Sequence, residues 1–377
     1  MKIEEPNYEW LEGRACENDK NGPYLLPIDS GEIDKLDFQH YIIRYVLTSY
    51  FTAPIDMSKV EKVCGCGSGI WTMENATMFP KTSFVGIDVR TMVPEEIRPP
   101  NCEFRYCDIF EGLDFPRNHF DYIYQRSMLS SIPEKRWNYV IKELIRCTKP
   151  GGYVELTEMQ IGLHNQGPYL KKLHRYVNKA FELRGIYQRT IKRLPKLLAK
   201  SGLVDVSVKS ISIPCGHWGG QVGEWMRDNV IEVIKAYKLF CIKQGVIGGG
   251  NDKEGGSRRK EGTKGDNGEE KIVNDKRKHD ERDEWDLDAE KAMEECEEFK
   301  SYNNVLIIVG RKPREGELVD TLKDFESEDL ELRLKKLKVD ELETENSNDK
   351  SERDGGEKAI EEADISDEED LRDTEES

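Results

Sequence analysis

A glycine-rich segment lies between a short apolar stretch and an amphipathic stretch, and it consists of Gly65, Cys66, Gly67, Ser68 and Gly69. Glycine at such a strand-to-helix turn lets the backbone approach a ligand closely. The spacing is G-x-G-x-G, and Ile70 stands where a dinucleotide-binding fingerprint would have its third glycine. A purely structural connection between a strand and a helix uses the same residues, so the turn alone is a weak signal.

Two aspartates follow the next two predicted strands. Asp88 ends the predicted strand Phe84–Asp88, and Asp108 follows the predicted strand Glu103–Cys107. Ligands of open α/β sheets bind at the carboxyl ends of the strands, so both carboxylates should face the same crevice as the glycine-rich turn. There Asp88 would accept hydrogen bonds from two ribose hydroxyls and Asp108 from an adenine amino group. The backbone amide of Ile109 would donate to a ring nitrogen.

The turn and the two acids together predict a site for an adenosine that carries an amino-acid substituent. No lysine or arginine stands in the turn to meet a pyrophosphate, which favours S-adenosyl-L-methionine over NAD. Gln125 is a further predicted cofactor residue. Tyr24 and Trp71 are candidates to line the site, although core packing explains Trp71 equally well. Cys64 and Cys66 are one residue apart, but no second cluster completes a zinc site, so no metal is predicted.

The segment from Val63 to Glu158 resembles the core of class I S-adenosylmethionine-dependent methyltransferases, through the motifs GCGSG, FVGID, CDIF, FDYI and KPGG. More narrowly, residues 8–242 and 285–313 resemble the fungal methyltransferase-domain family that includes regulators of secondary metabolism. The matching details are Gly69-Ile70-Trp71, the segment Tyr24–Asp29 with His40, Gln125-Arg126-Ser127, and Gly310–Pro313. The resemblance implies methyl transfer from S-adenosyl-L-methionine to a nucleophile in a single in-line displacement.

One position departs from the family pattern. Family members carry an acid two residues before the first glycine, where this chain has Val63, preceded by Glu61 and Lys62. That acid supports the amino-acid end of the cofactor, so Val63→Asp is expected to tighten binding. The departure also keeps open a non-catalytic regulator that has the methyltransferase fold and acts through protein partners. A dinucleotide-dependent oxidoreductase is disfavoured by the glycine spacing.

No catalytic residue is assigned from the sequence. A general base is needed only where the nucleophile arrives protonated. Polar candidates follow the predicted fifth strand, which starts with Tyr153–Leu156, and the predicted sixth strand, Val204–Ile213. For each of them the structural interpretation is favoured over a catalytic one: Glu158, His164, Tyr169, His217 and Trp218.

Strands alternate with helical patterns along the chain, which predicts a parallel sheet built from β-α-β units. The predicted fold is α/β, a Rossmann-like, seven-stranded, doubly wound sheet with flanking helices. An amphipathic helix is predicted over Trp137–Cys147, and Lys149-Pro150-Gly151-Gly152 should end it. Val305–Val309 is apolar at every position, as expected of a strand buried on both faces.

The composition divides the chain into a methyltransferase domain over residues 1–243 and 285–313, an insertion over 244–284 and a tail over 314–377. The insertion has nine glycines and almost nothing apolar to bury, so it is predicted to be disordered. The tail has 26 acidic and 10 basic residues, a net charge of −16, so the other 313 residues carry about −1 of the total −17. The tail is predicted to be disordered as well.

The charge distribution and the cysteines limit the expected partners and compartment. The nearly neutral body lacks the clustered basic residues that bind nucleic acid, so no nucleic-acid partner is expected. The sequence contains no run of 18 apolar residues, so no membrane-spanning helix is predicted. The expected partners are a small-molecule or protein methyl acceptor, and a protein bound through the acidic tail. Nine scattered cysteines suit reduced thiols in the cytoplasm. Lys276-Arg277-Lys278 is a weak signal for the nucleus.

Overall fold

The computed structural model describes residues 8–18, 26–66, 68–89, 97–248 and 284–317, and these contain nine strands and seven helices. The strands are β1 (Tyr8–Leu11), β2 (Arg14–Glu17), β3 (Lys62–Cys66), β4 (Ser83–Asp88), β5 (Cys102–Tyr106), β6 (Phe120–Arg126), β7 (Thr148–Met159), β8 (Val204–Pro214) and β9 (Tyr302–Arg311). The helices are α1 (Ser30–Leu47), α2 (Ile70–Met78), α3 (Trp137–Cys147), α4 (Pro168–Leu183), α5 (Thr190–Lys200), α6 (Gly220–Lys243) and α7 (284–298).

Seven of the strands form one sheet in the order β5-β4-β3-β6-β7-β9-β8. The five strands from β3 to β7 are parallel, and β9 is antiparallel to both of its neighbours. The chain moves outward from β3 to one edge and then returns to build the other half from β6. This reversal leaves a crevice at the carboxyl ends of β3 and β6, where open α/β sheets bind ligands. The predicted seven-stranded doubly wound α/β fold is confirmed.

The central strands are buried because helices cover the sheet. In α3, whose predicted bounds are confirmed, Val140, Ile141 and Leu144 form a buried stripe. Strand β7 begins at Thr148, directly after this helix, so the segment Lys149-Pro150-Gly151-Gly152 that was predicted to end the helix lies within the strand. Strand β9 is longer than the apolar run that predicted it, and all ten of its residues except Tyr302 are buried.

A two-stranded hairpin of β1 and β2 precedes the sheet, and the sequence patterns did not predict it. Asp29 joins this hairpin to α1. Its side chain accepts a hydrogen bond from the Glu32 backbone N–H at 3.1 Å, as an N-cap does, and it pairs with Arg14 of β2 at 2.5 Å. The hairpin therefore fixes the start of the helix that covers the carboxyl ends of β3 and β6.

Most of the predicted insertion and tail, residues 249–283 and 318–377, lies outside the described residues, as does Tyr24. At their edges, Ile247 is buried, and Glu317 pairs with Arg311 at 2.7 Å. The predicted disorder of these two segments therefore stays a prediction. Within the described ranges, no helix has both the length and the apolarity needed to cross a bilayer.

Candidate active site

A cavity of about 80 Å³ lies at the carboxyl ends of β3, β4 and β6. Five of the predicted cofactor residues line it: Gly65, Asp88, Asp108, Ile109 and Gln125. Ser68 and Gly69 belong to the adjoining turn and are not among the described walls, Cys66 is the last residue of β3, and Gly67 lies outside the described residues. The remaining walls are mainly apolar, so a ligand here would be shielded from water.

The glycine-rich turn combines a tight approach with a left-handed backbone. A side chain on Gly65 would place its Cβ 2.6 Å from Thr72 Oγ1 and 3.0 Å from the Trp71 ring. Gly69 has a φ of +93° at the start of α2, which favours glycine. Gly65 therefore allows the first turn of α2 to pack against the end of β3, in addition to opening the backbone to a ligand.

Trp71 belongs to the core. Its indole N–H donates to the Tyr50 carbonyl at 2.6 Å, and its ring stacks on Tyr124 with centroids 4.1 Å apart. The side chain is buried and does not line the cavity. The packing explanation for this residue therefore holds.

Hydrogen bonds from backbone N–H groups hold Asp88, at the end of β4, and Asp108, in the segment after β5. The Asp88 carbonyl accepts from the Cys107 N–H at 2.9 Å, which ties the end of β4 to the segment after β5. The Asp108 carboxylate accepts from the Phe110 N–H at 2.8 Å through Oδ1. This bond orients the carboxylate and places Asp108 and Ile109 in a turn at the cavity wall.

Val63 is fully buried in the sheet between Phe84 of β4 and Tyr122 of β6, its partners across the two ladders. The position where relatives carry an acid is thus a core position in this chain. A carboxylate there would lack partners, because apolar and aromatic residues surround it.

An acid reaches the glycine-rich turn from α1 instead. Asp37 lies beside Ser68. Asp37 Oδ1 and Ser68 Oγ are both buried, and neither makes a hydrogen bond of good geometry with a described residue. Burial raises the pKa of Asp37, and the neighbouring Ser68 and Arg126 partly offset the rise. No local pattern in the sequence marks Asp37, since its position depends on how α1 packs over the sheet.

A polar network next to Asp37 links α1 to β6 and α2. Arg126 donates to His40 Nδ1 at 2.6 Å, so the proton of the neutral ring lies on Nε2, which donates to Glu74 at 2.8 Å. Burial, followed by the charge of Arg126, lowers the pKa of His40 to about 4. His40 is therefore a neutral connector at pH 7 and holds Arg126 in place.

Glu158 organises the segment that follows β6. Its carboxylate accepts from the Leu129 N–H at 2.8 Å, and the Gln125 amide lies near the same carboxylate. Complete burial raises the pKa of Glu158 to about 7. The residue holds the segment 127–131 rather than facing the cavity, and Ser127 in that segment has a φ of +57°.

The polar candidates at the end of β7 and after β7 and β8 do not meet at the cavity. His164 stacks on Tyr302, with ring centroids 4.8 Å apart. His217 contacts Glu224 at 3.1 Å on the surface. Among the described residues that line the cavity, none of the five candidates appears. Asp37, which no sequence pattern marked, lies beside Ser68 of the glycine-rich turn, and it also interacts with the charge of Arg126.

The burial of Val63 reverses the expectation for its replacement. Val63→Asp should lower the free energy of unfolding by several kcal/mol, because the carboxylate is buried without a partner. It should not tighten the binding of S-adenosyl-L-methionine. Thermal melts with and without the cofactor measure both effects, with the uncharged variant Val63→Thr as the control. A stable Val63→Asp protein with tighter binding would contradict this expectation.

The sequence profile of a methyltransferase domain matches residues 63–152. N-methyltransferase verN of Clonostachys rogersoniana is 28% identical over 214 residues, which are 54% of this chain and 73% of that protein. Secondary metabolism regulator laeA of Aspergillus niger is 24% identical over 253 residues, 62% of this chain and 66% of that protein. Both relatives extend beyond the matched domain.

The solved structure of Haemonchus contortus phosphoethanolamine N-methyltransferase 2 in complex with S-adenosyl-L-methionine is 16% identical, with a TM-score of 0.40 over 74% of this chain. This chain spans 52%, about half, of that protein's length. So distant a likeness adds nothing to the strand order and cavity described above.

Proposed function

We propose that this chain is an S-adenosyl-L-methionine-dependent methyltransferase, that the crevice beside β3 holds this cofactor and that the protein methylates a small molecule; the methyltransferase-domain match and the similarity to N-methyltransferase verN support this proposal. The observation that carries the proposal is the meeting of Gly65, Asp88, Asp108, Ile109 and Gln125 at one cavity. These residues come from four separate segments of the sequence. Because these residues converge on one cavity, a shared role in binding a nucleoside explains their positions better than a separate structural role for each segment.

The nucleoside end of the cofactor fits the acids. Asp88, at the end of β4, would accept from the two ribose hydroxyls, and Asp108 would accept from the adenine amino group. The Asp108 carboxylate uses Oδ1 for the Phe110 N–H, which fixes its direction while Oδ2 is on the other side of the group. The apolar walls supplied by Ile87 and Leu144 suit an adenine ring.

The amino-acid end fits the acid from α1. A buried carboxylate oxygen without a full hydrogen bond is costly unless a ligand or water completes it. Asp37 Oδ1 is such an atom, and an ammonium group beside it would lower the pKa that burial raises. We assign Asp37 the role that relatives give to the acid at the position of Val63.

When bound, the cofactor supplies a methyl group that its sulfonium has already activated. The protein then has to align the acceptor and exclude water, which together can account for most of the rate increase. The apolar cavity walls exclude water, and Glu158 fixes the segment 127–131 that borders the cavity. No side chain is assigned a proton transfer in this function.

Asp37→Asn is expected to weaken the binding of S-adenosyl-L-methionine about tenfold, because one charge-assisted hydrogen bond to the ammonium is lost. Adenosine, which lacks the amino-acid group, should bind equally to both proteins. Asp34→Asn is the matched control, since Asp34 is exposed on the same helix. Calorimetry with both ligands measures the difference. Equal losses for adenosine and for the whole cofactor would place Asp37 elsewhere in the site.

A regulatory protein that binds the cofactor without turnover is the second candidate function, and the similarity to proteins named as secondary metabolism regulators favours it. Calorimetry with S-adenosyl-L-methionine, its demethylated product and NAD first tests the cofactor. Methylated products are then sought by mass spectrometry in cells with and without the protein. Cofactor binding without any new methylated species would favour the regulator. The location of the protein in the cytoplasm and the binding of a protein partner to the acidic tail stay predictions.

A further inference from the structure

A second cavity, of about 120 Å³, lies on the other side of the segment 127–131. We call it the acceptor pocket; α4, α6, the first turn of α7 and the end of β7 enclose it. We call the first cavity, of about 80 Å³ at the ends of β3, β4 and β6, the cofactor cavity. Met128 and Ser131 face the cofactor cavity, whereas Ser127, Leu129 and Ser130 face the acceptor pocket. One short segment therefore separates the two cavities.

The acceptor pocket has no charged wall. None of the described residues that line it is an aspartate, glutamate, lysine or arginine. Its histidine, His174, receives a hydrogen bond from Gln166 Nε2 at 2.7 Å on Nδ1. Burial lowers the pKa of His174 to about 4, so the ring is neutral at pH 7. A charged group entering this pocket would lose its hydration without meeting an opposite charge.

Two asparagines present unpaired acceptors to the pocket. Asn303 donates through Nδ2 to the carbonyls of Gln160 and Gly162, at 3.1 and 2.8 Å, and Asn229 donates to the carbonyl of Lys35 at 3.0 Å. These bonds fix which way each amide points, because only the nitrogen can donate. Both Oδ1 atoms are buried and find no partner among the described residues.

Trp285 contributes a donor in the same pocket. It is the second residue of the described part of α7, and its side chain is buried against Tyr176 with ring centroids 6.1 Å apart. The indole Nε1–H has no partner within the described ranges. His174 Nε2 is a fourth buried atom of this kind on the same walls. Buried polar atoms normally have partners, so four such atoms on the walls of one cavity indicate a ligand that completes them.

We propose that the acceptor pocket binds the methyl acceptor, an uncharged and largely apolar small molecule bearing amide or hydroxyl groups. Its N–H or O–H groups would donate to Asn229 and Asn303, and a carbonyl or hydroxyl oxygen would accept from Trp285. This inference rests on the proposed function. A lysine side chain of a protein substrate is disfavoured, because no acid to pair with it is among the described residues that line the pocket.

The transfer balances without a further reactant. A lone pair on the acceptor's nitrogen or oxygen forms the bond to the methyl carbon, and the carbon–sulfur bond breaks with its electron pair going to sulfur. The methylated product keeps the proton of the acceptor group until it leaves the pocket, and then gives that proton to bulk water.

Three probes that share the phenylalanine side chain test the charge of the ligand at about pH 6: N-acetyl-L-phenylalaninamide, which is neutral, L-phenylalaninamide, which lacks the acetyl group and is cationic there, and N-acetyl-L-phenylalanine, which is anionic. Calorimetry uses the full chain saturated with the demethylated cofactor. The neutral probe is expected to bind at least about tenfold more tightly than either charged one. Equal binding, tighter binding of a charged probe, or no binding of the neutral one would overturn the proposal.

Variants test the place of binding. Trp285→Phe keeps an aromatic ring and removes the N–H, so it should weaken the neutral probe about fivefold. Trp218→Phe is the matched control, because Trp218 is partly exposed and donates to the Cys215 carbonyl outside the pocket. An unchanged affinity in Trp285→Phe would show that the probe binds elsewhere.

Cofactor binding separates this inference from the proposed function. Both tryptophan variants should bind S-adenosyl-L-methionine as the unmodified protein does. If the protein binds no S-adenosyl-L-methionine, the proposed function fails, whatever the probes do. If it binds the cofactor normally and does not prefer the neutral probe, only the inference about the acceptor fails.

Discussion

We expect Asp88→Ala to lower the affinity for S-adenosyl-L-methionine by about 30- to 1000-fold. The variant loses two charge-assisted hydrogen bonds to the ribose, which together contribute about 2–4 kcal/mol to the binding free energy. The side chain lies at the end of β4 on the cofactor cavity, so its removal leaves the sheet itself intact. Isothermal calorimetry on the folded variant measures the loss. A thermal melt without cofactor shows whether the fold is unchanged.

Two further variants make this result specific. Asp108→Asn retains an acceptor oxygen and should lose only about tenfold, if the adenine amino group is its partner. Glu61→Ala is the control, since Glu61 is exposed, precedes β3 and pairs with Lys149 at 3.0 Å, at the opposite end of that strand. Unchanged affinity in Asp88→Ala would remove the ribose from its role. A larger loss in Asp108→Asn would reverse the order of the two acids.

Ile307→Asp is expected to prevent folding of the domain. Ile307 lies in β9, which hydrogen-bonds to β7 on one side and β8 on the other, and the side chain is 1% exposed. An unpaired carboxylate there costs several kcal/mol, against a total stability of about 5–15 kcal/mol for a typical domain. Circular dichroism and gel filtration of the variant should show lost secondary structure or aggregation.

The cross-strand neighbour of Ile307 supplies the control. Lys209 of β8 pairs with Ile307 in register and is exposed, so Lys209→Asp puts the same carboxylate into water. That variant should fold and bind the cofactor. A cooperative melt for Ile307→Asp near that of the unmodified protein would mean that β9 is dispensable to the sheet, contrary to its position between β7 and β8.

The sequence was sufficient for the features that depend on local pattern. Short apolar stretches that alternate with helical patterns predicted the seven strands of the sheet, and the amphipathic period predicted α3 with its observed bounds. Asp88 and Asp108 could be placed on one crevice because the carboxyl ends of parallel strands meet at the same edge of a sheet. Trp71 was ambiguous, since an apolar aromatic after a glycine turn suits both a core and a ligand wall.

The direction of β9 depended on the tertiary structure. A continuous apolar run such as Val305–Val309 has the same composition read in either direction, so periodicity does not reveal whether the strand is parallel. The structure places it antiparallel between β7 and β8, which are not adjacent to it in sequence.

The site beyond the two acids was also decided by packing. Asp37 contacts Ser68 only because α1 lies over the end of β3, and the acceptor pocket joins Asn229, Trp285 and Asn303 from α6, α7 and β9. Patterns along a chain report the local period and the local burial of each element. They do not report which distant elements share a surface, because that is settled when apolar faces compete for burial against one another. The two acids could therefore be placed at one crevice from their strand ends, whereas the proposed roles of Asp37 and of the acceptor pocket depend on the folded structure.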